Sequence, residues 1–221
     1  MTAEVEWHGV LLQRDELNSS YLASTDELAD AARDGAWARM FDLLDGRGIE
    51  FTVGVNEWRR GGTSWFSPLH QAAWHGASAS VVEDLVNRGA WRALRDAQGR
   101  RPIDIARERG ADHIIDVLEP RNAHPASDRS LSAMSRALAE LVVAAARQAN
   151  CAAPIRHLDV ACLVESGAAA WFPIPGMYGG FSMEMFRGRL NVESWSRVVG
   201  GSGRAYVITA DRTTLVDEGF V

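Results

Sequence analysis

The chain has 221 residues, 29 acidic and 23 basic side chains, and a formal net charge of −6. That length allows one or two domains with a real core, and the acidic balance argues against a nucleic-acid backbone as partner. Every basic residue is arginine, which excludes Schiff-base lysines and the lysine of a phosphate loop and fits a GC-rich, bacterial-like coding composition. Cys151 and Cys162 are too few for a disulfide framework or a Cys-rich zinc site. The first residues, Met1 to Glu6, are acidic and not leader-like, and no apolar run reaches membrane length. A soluble cytoplasmic protein with no membrane contact, cofactor or metal is expected.

Residues 1–23 carry Val5, Trp7, Val10, Leu11 and Leu12 among charges. They form a segment expected to dock on the helices or the sheet that follow. From residue 24 the apolar spacing becomes helical. Ser24 to Glu27 reads as a cap, Leu28 to Gly35 as one helix, and Met40 to Leu44 as a second.

A long connection follows, from about Gly46 to Ser67. Gly61-Gly62 marks a turn in it. Trp58, Arg59, Arg60, Trp65 and Phe66 there combine the residue types enriched at binding hot spots. Two roles stay open for these side chains: covering the helices, or meeting a partner.

Ser67-Pro-Leu-His-Gln-Ala-Ala-Trp-His-Gly76 is the strongest motif. Pro68 suits the first turn of a helix and Gly76 its end. A capping box at Ser80 and Glu83 opens a second helix, with Val81, Val82, Leu85 and Val86 as its apolar face. Pro102 and Gly110 repeat Pro68 and Gly76 at an interval of 34 residues, followed by Ile114, Ile115, Val117 and Leu118. Trp91 to Arg101 forms a second connection whose arginines, Arg95 and Arg100 among them, make a basic tip.

This stretch, residues 24–121, resembles the ankyrin-repeat family, whose signature is Thr-Pro-Leu-His-x-Ala. Ser67 stands in the Thr position, and the unit before and the unit after are degenerate. The resemblance implies about three repeats of two helices and a finger loop. It also implies a concave recognition surface near Gln71, Trp74 and His75, and a backbone hydrogen bond for His70. His70 and His75 lie about 140° apart around a helix and do not face one metal.

Pro120 to Ala126 reads as a linker into residues 122–221. Ser127-Asp128 caps a long helix to about Asn150, with Leu131, Met134, Leu138, Leu141 and Ala145 as its stripe. That stripe is expected on a sheet, with a homodimer seam as the alternative. Period-two runs then predict strands at Leu158–Val164, Phe181–Arg187, Arg189–Val199, Arg204–Ala210 and Thr213–Val216 in an antiparallel meander. Trp171 to Gly180 reads as a loop and Gly200 to Gly203 as a hairpin turn. Leu190, Val192 and Val198 share one face of their strand; Asn191, Glu193, Trp195 and Arg197 share the other.

The predicted fold is thus α+β: a short ankyrin-like helical array, then a long helix and a β-meander. No nucleophile motif, zinc helix or dinucleotide fingerprint is present. His157-Leu158-Asp159 is a His/acid pair without a nucleophile in context. The expected function is non-enzymatic protein–protein recognition by a regulator, adaptor or immunity-type protein. The alternative is a small-molecule or catalytic pocket built from Tyr178, Glu193, Trp195 and Arg197.

Overall fold

Proline and glycine punctuate the first half of the computed structural model, which describes residues 4–121, 127–197 and 202–219. The chain divides into two units: Leu12–Arg121, and the stretch through Leu11 together with the chain after Arg121. The expected N-terminal segment is therefore shared between them.

In the helical unit, six helices come as three pairs. They are α1 (Ser19–Arg33) with α2 (Trp37–Leu44), α3 (Pro68–His75) with α4 (Ala79–Asn87), and α5 (Pro102–Glu108) with α6 (Ile115–Leu118). Helices α1, α3 and α5 pack in a row. Pro68 and Pro102 open α3 and α5. Gly76 closes α3 at φ 58°, a left-handed conformation that glycine adopts without Cβ strain. Behind the prolines, one side chain reaches back in each repeat. The Ser67 amide donates to His70 Nδ1 at 3.3 Å, and the Arg101 amide donates to Asp104 Oδ2 at 2.8 Å. Ala72, Ala73 and Ala106 are small enough to let neighbouring helices close over Leu28, Met40, Leu69, Leu85, Ile103 and Ile114.

Two expected caps move. Asn18 Oδ1 accepts from the amides of Ser20 and Tyr21, so α1 starts before Ser24, and Ser24 and Thr25 are buried inside it. Ser78 precedes α4, and the Ser80 hydroxyl bonds Ser78 Oγ at 2.9 Å instead of capping with Glu83.

The second unit is a six-stranded sheet in sequence order: β1 (Glu4–Glu6), β2 (Ala169–Ile174), β3 (Gly179–Phe186), β4 (Arg189–Ser196), β5 (Ser202–Ile208) and β6 (Thr213–Gly219). β1 pairs with β2 in parallel and every later pair is antiparallel. Two helices accompany the sheet, α7 (Asp128–Gln148) and α8 (Val160–Ser166). The buried face carries Ala170, Phe172, Phe181, Met183, Leu190 and Val192.

Three expectations are corrected here. Leu158–Val164 is not a strand: Asp159 Oδ1 accepts from Ala161 N at 2.9 Å and starts helix α8. Ser135 on α7 completes that cap, accepting from Val160 N and donating to Asp159. The presumed loop at 171–180 is mostly strand. Pro173 is tolerated in β2 because it shares the side of Trp171, whose carbonyl accepts from Trp7 N beyond the end of β1. Finally, the buried stripe of α7 is Leu131, Met134, Leu138, Val142 and Ala146, so Leu141 and Ala145 lie on its flank.

The turns follow their local chemistry. Arg187 and Gly188 both have positive φ, which closes the β3–β4 hairpin as a two-residue turn. Ser202 and Gly203, expected in a turn, already belong to β5; Gly200, Gly201, Val198 and Val199 lie outside the described residues, as does most of the expected linker. Just after β1, Trp7 Nε1 donates to the Arg156 carbonyl at 3.0 Å, and Gly9 passes so close to that carbonyl that a Cβ would sit 2.3 Å from it.

Candidate functional site

The first finger, between α2 and α3, is anchored from within. Gly61 at φ 78° turns it, and Asn56 bonds the Gly89 carbonyl and the Trp91 amide. Trp58 is 2% exposed and Arg60 5% exposed. The Arg60 guanidinium lies 4.1 Å from the Trp58 ring centroid, bonds Tyr21 Oη at 2.7 Å and pairs with Glu57 at 2.5 Å. Burial first, and Glu57 second, push the Tyr21 phenol far above its ordinary pKa, so it stays neutral within this network. Trp58 and Arg60 are core residues. Arg59 is turned onto α1, where it pairs with Asp26 and Asp30.

The second finger is less basic than its sequence. Arg92 is buried and donates to the Val117 carbonyl at 2.7 Å. Arg95 donates to the Gly99 carbonyl. Asp96 accepts from the amides of Gln98 and Arg100 and pairs with the Arg100 side chain, which also reaches Glu108. The finger is a folded turn held by its own acid.

What remains on the surface is an aromatic–arginine cluster at the junction of α3, α5 and the end of the first finger. Trp65 takes a left-handed φ of 57°, and the chain then brings Phe66 against α3. The Phe66 ring stacks on His70 at 5.5 Å and meets Trp74 edge-on at 6.1 Å. Trp74 is 40% exposed. Arg109, at the end of α5, lies 4.5 Å from the Trp74 ring centroid and donates through Nε to the Trp74 carbonyl at 3.3 Å. Arg100 lies 5.8 Å from the Phe66 ring. Each cation–π contact contributes roughly 0.5–1 kcal/mol at an exposed position, which favours this ring geometry. Beside them, His75 meets the Trp37 ring edge-on at 5.7 Å, and its Nε2 lies 2.7 Å from the Arg33 carbonyl. Gln71 is half-buried on the same helix.

Of the residues predicted for partner contact, Phe66, Trp74 and Arg100 thus come together, with Gln71 and His75 on the same helix as Trp74. Trp58, Arg59, Arg60 and Arg95 are turned to internal partners. Arg109 was missed, although the 34-residue interval that relates Gly76 to Gly110 also relates His75 to Arg109.

Of the alternative pocket's residues, Trp195 and Arg197 line an open depression of about 180 Å³ with Ser196 and Ser202, and Tyr178 and Glu193 do not. Tyr178 is 76% exposed at the β2–β3 turn, and Glu193 is exposed on β4. Trp195 stacks on Trp171 with ring centroids 5.0 Å apart, and Arg197 lies 5.1 Å from the Trp195 ring. These side chains form an open, stacked sheet face. His157 and Asp159 form no dyad: Asp159 is the α8 cap, and burial lowers the His157 pKa. Among the described residues, no group of three His, Cys, Asp or Glu side chains is placed to hold a metal ion. No helix of the described residues is long and apolar enough to cross a membrane. No family model matches the chain, and no curated protein matches it.

Proposed function

We propose that this chain is a non-enzymatic interaction protein whose helical unit is a short ankyrin-type array docking a partner protein through Phe66, Trp74 and Arg109. The array reading is supported by the 34-residue interval, the helix-opening prolines, the left-handed glycine at 76 and the repeated back-bond from His70 and Asp104. The observation that carries the docking reading is Trp74: a tryptophan 40% exposed yet fixed between Phe66 and Arg109. Tryptophan and arginine dominate binding hot spots, and a ring already fixed costs less side-chain entropy on association.

The test is a photo-crosslinking amino acid placed at position 71, one helical turn from an intact Trp74, and, as control, at exposed Glu83. The reading expects one discrete crosslinked protein from position 71 and none from position 83. Equal labelling from both positions, or none from position 71, would refute it.

A further inference from the structure

The sheet unit contains a cavity of about 370 Å³ between the C-terminal half of α7 and the buried face of β3–β5. It is built by a change in side-chain size on both walls. Along β4 the inward row runs Leu190, Val192, Ser194. On the other wall, the flank of α7 beside its buried stripe offers Leu141 and then only Ala144, Ala145 and, just past the helix end, Ala149. Where these alanines stand over Ser194 and Ser196 the gap stays open. Gly176 seals the helix end. Its φ of 81° and its approach to the Ala149 carbonyl, 2.6 Å from where a Cβ would stand, exclude any other residue without a backbone shift.

The lining has an apolar part, Leu141, Phe181 and Met177, and a polar part centred on Arg204, the one charged side chain among the lining residues. Arg204 is partly exposed at the cavity's edge, and its Nε donates to Glu218 Oε1 at 2.7 Å. Ser194 is 8% exposed, and its hydroxyl has a long 3.5 Å bond to the Arg204 carbonyl. Ser196, next on the same row, is satisfied by the Met177 carbonyl at 2.7 Å; the Ser194 hydroxyl, with so long a bond, costs free energy unless something in the cavity partners it.

The geometry points to a binding site for a small amphipathic carboxylic acid, its apolar body against Leu141 and Phe181 and its carboxylate at Arg204 and the Ser194 hydroxyl. The volume lies at the small end of the range of ligand pockets, roughly 300–1,000 Å³. An arginine whose Nε is taken by Glu218 is suited to a carboxylate, because its planar fork retains donors on the nitrogens beyond Nε. This site lies on the opposite face of the sheet from Trp195, and it does not depend on the partner surface of the helical unit.

The test is calorimetric titration of the full chain with octanoate, and with octanol as the neutral control. Saturable 1:1 octanoate binding is expected with a dissociation constant below about 1 mM, weakened at least tenfold by Arg204→Gln. Ser194→Leu, which continues the leucine row, removes the binding; Ala145→Leu fills the same space from α7 and serves if the first variant fails to fold. No saturable octanoate binding overturns the proposal, as do equal octanol affinity and unchanged binding in a folded cavity-filling variant.

Discussion

The two units solve the same packing problem in different ways. In the helical unit, small residues (Ala31 and Ala32, Ala72 and Ala73, Ala106) recur on α1, α3 and α5, and one core cluster runs from Leu28 to Leu118. The sheet unit has no repeat to enforce such a match, and where serine faces alanine a cavity opens. The difference extends to polar groups. The first finger is held by a buried network, Arg60 with Glu57 and Tyr21, whereas the sheet is tied at its first strand by close backbone approaches around Gly9 and Trp7. A repeat constrains both space and charge; a single sheet leaves more to individual side chains.

That contrast can be broken at its strongest points first. Arg60→Ala leaves Glu57 buried without its cation, and should cost the helical unit about 3 kcal/mol. Urea unfolding followed by hydrogen exchange should place the loss in residues 12–121 and leave the sheet amides unchanged. In the sheet unit, Gly9→Ala drives a methyl into the Arg156 carbonyl and should cost about 2 kcal/mol, with the loss of protection confined to the strands. Loss of protection spread equally over residues outside the substituted unit would contradict that placement.

Filling the cavity acts in the other direction. Ser194→Leu should raise stability by about 1 kcal/mol, since it removes a poorly bonded hydroxyl and fills open space. Ordinary overpacking would lower it instead.

The smallest effect is electrostatic. Burial alone would raise the Asp104 pKa, but the Arg101 amide and guanidinium outweigh it and hold the carboxyl below its ordinary value. A carboxyl depressed in the folded state stabilises above its unfolded pKa, near 3.9, and loses that contribution as pH falls through its lower folded value. Asp104→Asn should therefore flatten the acid limb of the thermal midpoint below about pH 4. An unchanged acid limb would show that Asp104 does not carry this linkage.

What the sequence made legible follows the same division. The helix pairs are local: prolines, glycines and apolar spacing lie within one repeat, so α3 to α6 could be read directly, while the placement of Trp74 and Phe66 stayed open. What failed depends on distant partners. Trp58 and Arg60 have hot-spot composition, yet Tyr21, 39 residues from Arg60, takes part in their burial. Helix α8 depends on Ser135 from another helix to complete its cap, and without it Leu158–Val164 is an apolar run that fits helix or strand equally. Strand β2 hides behind Pro173 and Pro175, because proline reads as loop until the unpaired side of the strand is known. The cavity was invisible for a related reason: it arises where two runs of small residues, far apart in sequence, face one another.

The central claim is that the fixed Trp74 ring is a docking surface and not a solvated ornament of α3. The most direct measurement is affinity capture from native lysate with wild type and with Trp74→Ala/Arg109→Gln. Both proteins must first show the same circular dichroism and thermal midpoint, because an exposed side chain of this kind should change stability by only about 0.5 kcal/mol. The account predicts a protein retained by the wild type at stoichiometric yield and lost from the double variant. Equal retention by both, or retention by neither, would contradict it.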